Sequence, residues 1–462
     1  MKIPERERVA CRPSIFASLC ARFGEITDWA AYRQVAAQTR HPVGAMLVSQ
    51  TLMSFGVAAT LSRSLGARHY GEYAVIITVA GLFQLIAAFP VESGLAKFLA
   101  EARQERPEEV RAYYAAGLLL RLAAGLIAMA LGLFTARWLS GLYGISGMAR
   151  PVVVASLSLC VLTPIASFFL ACVQGMEQPA RWATGNLLNS LLVVPLTVVG
   201  AMAFRTGGQS GLFACIAAGW LAAAVICACL ARRSLGFLLP TRSRWSHVGE
   251  LVPFLLPIWI VPLVGFGTRT LLKSYLAVKC GAVPVGQFEI ALTLLVHMGM
   301  IYQACMIVFI PAWTRLYAGR QGAQLLRSIA QARGALLGAA VLYGSVLVFA
   351  GQWVVPALFG RDQMGAVPAA RVMGLTMPLM ISGWVASSTN VVSNRTRNIG
   401  MANVIWFTIA IPLGVVLTPS LGALGTALAW CGAYCVFAWF YVSRARPFFR
   451  EAEGWRETDL RG

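Results

Sequence analysis

The stretch GLFACIAAGWLAAAVICACLA, residues Gly211–Ala231, decides the fold class because it contains no charged side chain. A helix needs about 20 mostly apolar residues to cross the hydrocarbon of a bilayer, and this run has that length. It therefore predicts a transmembrane helix.

The same pattern recurs throughout the chain on both sides of this run. The 462 residues are 58% hydrophobic and only 12% charged, with a mean hydropathy of +0.69, so a soluble surface is excluded. The other apolar runs are Val43–Ser62, Tyr73–Ser93, Tyr113–Thr135, Pro151–Val173, Trp182–Phe204, Leu251–Tyr275, Gly286–Ile310, Gly334–Pro356, Val372–Val392, Gly400–Thr418 and Leu421–Val442. We expect an all-α polytopic membrane protein with about 12 transmembrane helices.

The basic residues predict how these helices are oriented. Most of the 38 Lys and Arg residues lie in the tails and in the connections on the side of the N-terminus. Because such residues are retained in cytoplasmic loops, both termini are expected in the cytoplasm. Topology and anionic lipid also explain the net charge of +20, so no nucleic-acid partner is predicted. The expected segments are a cytoplasmic amphipathic segment (1–42), a six-helix lobe (43–231), a cytoplasmic linker (232–250), a second six-helix lobe (251–442) and a cytoplasmic tail (443–462).

An internal repeat supports the division into two lobes. GARHYGEY at 66–73 and GAVPVGQF at 281–288 share their glycines and their aromatic residue at a fixed offset, and LYG at 142–144 and LFG at 358–360 lie at nearly the same offset. Repeated halves are common in secondary transporters. The matches predict duplicated six-helix halves of the same orientation.

No enzyme signature is present in the sequence. There is no phosphate-binding Walker loop, no HExxH pair and no nucleophile elbow, and the four histidines are scattered. We therefore predict no catalytic residue, no metal site and no cofactor. Most of the eleven cysteines lie in predicted spans, where packing is their expected role. A transporter or channel is the leading class.

Four motifs, in this order along the chain, carry a resemblance to a known family. They are LSRSLGARHYGEY (61–73), LAKFLAE (95–101), QG (174–175) and LGALGTALA (421–429). With them the chain resembles the bacterial polysaccharide flippases of the multidrug/oligosaccharidyl-lipid/polysaccharide exporter superfamily, from about Gly44 to Val442.

The resemblance implies a function as well as a fold. It implies two helical lobes around a central cavity, which move a lipid-linked oligosaccharide from the inner to the outer leaflet by alternating access. The implied setting is the bacterial inner membrane, in exopolysaccharide, capsule or lipopolysaccharide biosynthesis. The implied partners are the lipid-linked oligosaccharide, membrane lipids, and polysaccharide polymerase and chain-length machinery.

Cations inside the predicted spans are the candidate substrate-binding residues. A charge at the centre of a span costs about 2.5 kcal/mol or more and tends to face a cavity, and Arg121, Arg269 and Lys273 are so placed. They are expected to neutralise the diphosphate of a prenyl-linked sugar. The family often has an aspartate directly before the position of Lys273, where this chain has Leu272, so Lys273 is expected to be unpaired. The alternative is that Arg269 and Lys273 reach toward headgroups at a helix end.

Glu289 and His297 are the candidate ion-coupling residues. They share one helix face with Thr293 at a four-residue spacing. A coupled carrier needs an ionisable group in the membrane. The alternative is that Glu289 is simply a counter-ion to Lys273 across the turn between the seventh and eighth spans.

Two other transport functions stay open from the residues alone. A multidrug or organic-cation antiporter of the same superfamily is expected to concentrate acidic residues in its cavity, whereas here embedded cations outnumber embedded acids. A flippase for the peptidoglycan lipid precursor is equally compatible with the residues. A membrane-embedded polymerase is disfavoured because the predicted loops on the outer side are short.

Overall fold

The computed structural model describes residues 44–87, 89–144, 147–237, 245–395 and 397–459, and within these ranges every regular element is a helix. Residues 44–51 lead helically into a π-helical turn at Leu52–Gly56 and then into the first helix. We number the helices α1 Val57–Ala87, α2 Val91–Glu105, α3 Val110–Leu142, α4 Ala149–Gly175, α5 Pro179–Met202, α6 Phe204–Leu235, α7 Trp245–Cys280, α8 Ala282–Ala318, α9 Gly322–Phe359, α10 Val367–Val392 and α11 Arg397–Asp459.

The helices confirm an all-α membrane architecture, while their count differs from the expected twelve. Nine helices of the described residues are long and apolar enough to span a bilayer, and the bent α7 makes up to ten. Three of the long helical stretches contain a glycine with non-helical dihedral angles: Gly66 (φ 72°) in α1, Gly208 (φ 55°) near the start of α6 and Gly422 (φ 55°) in α11. At Gly66 and Gly422 the chain changes direction within one helical stretch. Each of these two stretches joins two apolar runs, so the helices number fewer than the runs.

Part of the expected linker 232–250 is helical. Helix α7 begins at Trp245, inside the expected linker 232–250, and bends by 44° between Leu256 and Ile258, on either side of a helix-breaking proline. Its start is helical because it packs on the first half of the chain, where Tyr113 donates a hydrogen bond to Glu250. Residues 238–244 of the linker lie outside the described residues, as does the predicted amphipathic segment 1–42.

The predicted tail 443–462 is helical as far as it is described. Helix α11 continues to Asp459 without a break after the last apolar run. Phe448 stacks on Tyr317 at a ring distance of 5.3 Å, and the Tyr317 hydroxyl donates to Glu451 over 2.9 Å. These contacts stabilise the extension, and residues 460–462 lie outside the described part of the chain.

The repeated motifs adopt matching backbone conformations. Gly66 has φ 72° and ψ 174°, and its counterpart Gly281 has φ 84° and ψ −172°. These values lie in a region open essentially to glycine alone. The repeat therefore places the same sharp turn before α8 as within α1.

The two copies of the repeat meet each other. A methyl group on Gly286 would lie 3.0 Å from the Cα of Gly71, and one on Gly71 would clash with the carbonyl of Ala282. Nearby, the Arg63 guanidinium donates to the carbonyl of Ala357. We call this contact between the first and second halves of the chain, formed by Arg63, Gly71, Ala282, Gly286 and Ala357, the seam.

Candidate functional site: a charged cavity between the halves of the chain

A cavity of about 180 Å³ lies between the two halves of the chain. One water molecule needs only about 10–15 Å³ of such space, so the cavity has room for a much larger polar group. Helix α1 contributes Ser54 of its helical lead-in, Tyr70 and Tyr73, while α7 contributes Arg269 and α8 contributes Glu289. Residues far apart in sequence thus contribute polar side chains to one cavity.

Three charged side chains from the second half form a cluster at the cavity, and two of them, Arg269 and Glu289, line it. Glu289 accepts a hydrogen bond from Arg269 over 2.6 Å with one carboxylate oxygen, and its other oxygen forms an ion pair with Lys273 Nζ at 2.7 Å. The cluster carries a formal charge of +1. We call Arg269, Lys273 and Glu289 the charge triad.

The triad corrects one prediction and confirms another. Lys273 is paired, because Glu289 is the acidic partner that is missing at the neighbouring position, Leu272. The pairing that the counter-ion alternative expected for Glu289 is confirmed, and its ion-coupling role stays a prediction. Lys273 is only 3% exposed, so it does not reach toward headgroups either.

The geometry of the turn between α7 and α8 explains why these side chains meet. Helix α7 ends at Cys280, Gly281 makes the sharp turn, and α8 begins at Ala282. Lys273 and Glu289 lie equally far from that turn on their respective helices, about 10 Å at 1.5 Å per residue. They therefore face each other at the same depth. Arg269 lies one helical turn farther than Lys273 from the turn at Gly281.

The wall from the first half is aromatic. The rings of Tyr70 and Tyr73 stack at 5.9 Å, and Tyr73 stacks in turn on Phe213 at 5.4 Å. Sequence reasoning treated Tyr70 and Tyr73 only as parts of a turn motif. Their spacing of three residues, which puts both on one helix face, is the signal that would have suggested a lining role.

Arg121 is not brought together with the other two cations. It is 2% exposed, forms an ion pair with Glu92, and donates to the carbonyls of Ala87 and of Phe89, the latter over 3.1 Å. These carbonyls lie where α1 gives way to α2, so they lack the partners that a continuous helix would supply. The geometry favours a structural role, and a substrate-binding role for Arg121 stays a prediction.

His297 is likewise separate from Glu289. Its Nδ1 lies 3.3 Å from the carbonyl of Thr293, and its ring packs edge-on against Phe55 at 4.8 Å. Eight residues of α8 separate it from Glu289, which is about 12 Å along the axis. Thr293 lies between them and lines the cavity.

A comparison with family models shows which protein family the chain belongs to. The family model described as "Polysaccharide biosynthesis protein" matches residues 43–317, which is more than half of the sequence. The chain belongs to the polysaccharide biosynthesis protein family. The resemblance to the polysaccharide flippases of the exporter superfamily is thereby confirmed.

Solved structures share the fold of this polysaccharide biosynthesis protein at low sequence identity. A multidrug resistance MATE family transporter in an inward-facing conformation aligns with a TM-score of 0.68 at 16% identity, covering 88% of this chain and 96% of its own. The lipid II flippase MurJ in an inward closed conformation aligns with a TM-score of 0.69 at 12% identity, covering 87% and 86%. A transporter of the superfamily from Pyrococcus furiosus aligns with a TM-score of 0.59 at 14% identity, covering 89% and 95%.

These comparisons give the family and the fold of the chain. No curated protein sequence matches the chain significantly. The chain is a multi-pass membrane protein of this family, and it shares the fold of these transporters.

Proposed function

We propose that the protein is a flippase that moves a polyprenyl-diphosphate-linked oligosaccharide across the bacterial inner membrane by alternating access. The observation that carries this proposal is the charge triad, a net positive group at a cavity between the two halves of the chain. The transported glycan would supply exopolysaccharide, capsule or lipopolysaccharide biosynthesis.

The chemistry of the substrate fits that of the cavity. A prenyl diphosphate carries its negative charge on oxygens that accept from guanidinium and ammonium groups, which Arg269 and Lys273 offer. The sugar hydroxyls would meet Ser54 and the stacked tyrosines, while the prenyl tail stays in lipid. Both cations are proposed to bind the diphosphate.

The proposed topology has twelve spans in two six-helix lobes, residues 43–231 and 251–442, with both termini cytoplasmic. This number results when α1 counts as two spans divided at Gly66, the 15-residue α2 continues the second of them, the bent α7 counts as one and α11 counts as two divided at Gly422. Basic residues such as Arg395 and Arg444 follow spans at the end of the bundle opposite the seam. The seam is therefore proposed to lie on the outer side, where it closes the cavity.

Alternating access requires the lobes to separate at one end while they close at the other. The seam supplies a closed end, because the glycines of its two repeat copies permit backbone contact and the Arg63 side chain bonds across it. In the opposite state of the cycle these contacts would have to break.

Glu289 and His297 are retained as the proposed ion-coupling residues. Glu289 has the more direct connection with the cavity, while His297 would communicate with it along the wall that Thr293 lines. Replacing His297 with glutamine is expected to change the pH dependence of transport. An unchanged pH profile would remove His297 from the proposal.

A flippase for the peptidoglycan lipid precursor is the second candidate. That precursor also carries a prenyl diphosphate, so the charge triad would suit it equally well. A multidrug cation antiporter is disfavoured, because Glu289, the acid lining the described cavity, is neutralised by two cations.

Deletion of the gene tests the three functions against each other. If the protein is the proposed flippase, the deletion strain loses its surface polysaccharide, and the plasmid-borne gene restores it. The restored polysaccharide should require the polymerase and chain-length partners. Unchanged polysaccharide with raised drug sensitivity would establish the antiporter instead. Lysis with accumulated peptidoglycan precursor would establish the second candidate.

A further inference from the structure

Glu289 occupies the position in the cavity where an anionic ligand would bind. One carboxylate oxygen accepts a hydrogen bond from Arg269, and the other forms an ion pair with Lys273. This arrangement of two oxygens toward two donors is the one that a phosphate group would adopt. The carboxylate thus already satisfies the donors that a substrate would need.

Burial within the triad increases from Arg269 to Lys273. The Arg269 side chain is 30% exposed, Glu289 is 15% exposed and Lys273 is 4% exposed. Removing the acid would leave Lys273 as a buried cation beside a second cation, an arrangement that costs considerable stability. In the empty protein Glu289 is therefore needed to hold the two cations in place.

An entering diphosphate reverses this requirement. Once its oxygens meet Arg269 and Lys273, the Glu289 carboxylate becomes a like charge beside the ligand, in surroundings where charges act on one another more strongly than in water. Substrate and carboxylate therefore compete for the same donors.

We infer that Glu289 is an internal counter-ion, which neutralises the anion-binding cations of the empty cavity and is displaced by the diphosphate of the substrate. This inference rests on the proposed function. It explains why the cavity needs an acid at all when its ligand is an anion, and it makes binding weaker and release faster than two free cations would allow.

The charged and polar neighbours of Glu289 bear on this competition. Helix α7 places Arg269 at the cavity and Lys273 one helical turn away beside Glu289, while α1 contributes Tyr70 and Tyr73 to the lining. The two cations alone pair with Glu289 in the described structure. They are therefore the groups that the substrate must take from it.

Binding of two diphosphates to the purified full-length protein tests the inference. The probes are inorganic pyrophosphate and farnesyl diphosphate, which separate a free anion from one borne on a prenyl chain. Glu289→Gln is expected to bind both at least tenfold more tightly than the wild-type protein. Adding Lys273→Met to this variant should abolish the gain.

The matched control is Glu92→Gln, which removes the acid of the other buried ion pair. Its affinity for both probes should equal that of the wild-type protein. If Glu289→Gln does not fold, Glu289→Asp provides the test, because the shorter side chain draws the carboxylate back from the cations. It is expected to gain about threefold in affinity.

Equal or weaker binding by a folded Glu289 variant would overturn the inference. If the wild-type protein binds farnesyl diphosphate while Glu289→Gln gains nothing, the proposed flippase function survives and the competition does not. If neither the wild-type protein nor any variant binds either probe, the proposed function fails as well.

Discussion

Two buried charge clusters distinguish the two halves of this membrane protein. In the first half Arg121 pairs with Glu92 and also donates to carbonyls at the break between α1 and α2, so the cluster is neutral and its donors serve the backbone. In the second half Arg269 and Lys273 share one acid, so the cluster is positive, and two of its members line a cavity.

A buried cation in a span is therefore not by itself a ligand-binding residue. A charge within a membrane is expensive and needs a partner, but the partner can be the protein's own backbone. What marks a site is an excess of one charge beside an open volume. By that criterion the triad is the candidate and Arg121 is not.

The largest expected effect comes from breaking the triad. Lys273→Met should reduce transport about 100-fold or more, since one charge-assisted contact to the substrate is lost and Arg269 is left neutralised by Glu289. Restoration of surface polysaccharide in a deletion strain measures this, at matched amounts of protein in the membrane. Lys273→Arg, which keeps the charge, should retain part of the activity.

Arg121→Met should affect stability rather than transport. Removal of one member of a buried pair typically costs about 3–5 kcal/mol, and the 30% exposure of Glu92 reduces the expected loss to about 2–3 kcal/mol. Thermal unfolding in detergent measures it, and the double variant Arg121→Met/Glu92→Leu should recover stability. Transport per folded molecule that fell as far as in Lys273→Met would place Arg121 in the substrate site.

The seam provides a third test, of access to the triad. Gly71→Ala would force a methyl group against the carbonyl of Ala282, and overpacking of this kind costs about 1–3 kcal/mol. Destabilising the closed end by that amount should lower transport about tenfold. Gly334→Ala is the matched control, because a methyl group there meets no atom within 4 Å. Equal activity of both variants would show that the seam does not need close backbone contact.

The smallest effect is expected at Thr293. Its side chain lines the cavity, but its hydroxyl donates to the carbonyl of Glu289 one turn earlier in its own helix, over 2.8 Å. Thr293→Val keeps the shape and should change transport less than about twofold, in line with substitutions away from special features. A tenfold loss, measured by the same polysaccharide assay, would show that this hydroxyl contacts the substrate.

The sequence predicted the architecture where one property repeats along the chain. Apolar runs predicted the membrane helices, and the repeat at residues 66–73 and 281–288 predicted matching turns, which the dihedral angles of Gly66 and Gly281 display. The number of helices was harder to predict, because the connections at Gly66 and Gly422 stay within one helical stretch although each of them divides two apolar runs. The helical extension of α11 was missed, since its packing on Tyr317 involves a residue more than a hundred positions away.

The site was predictable in its members but only partly in their pairing. Intramembrane charge drew attention to Arg121, Arg269, Lys273 and Glu289, and all four are in ion pairs. Which acid serves which cation depends on how helices pack, and the break that directs Arg121 toward backbone carbonyls is a property of the fold. Tyr70 was missed because its motif was assigned to a turn.

The most direct test of the account is to find where the lipid-linked oligosaccharide contacts the protein in cells. A photoreactive phenylalanine derivative can replace Tyr73, beside the triad, or Phe89, beside Arg121, so that both probes substitute an aromatic ring next to a charge cluster. The account predicts that the probe at residue 73 captures the glycolipid and that the probe at residue 89 does not. Capture at residue 89 without capture at residue 73 would contradict it.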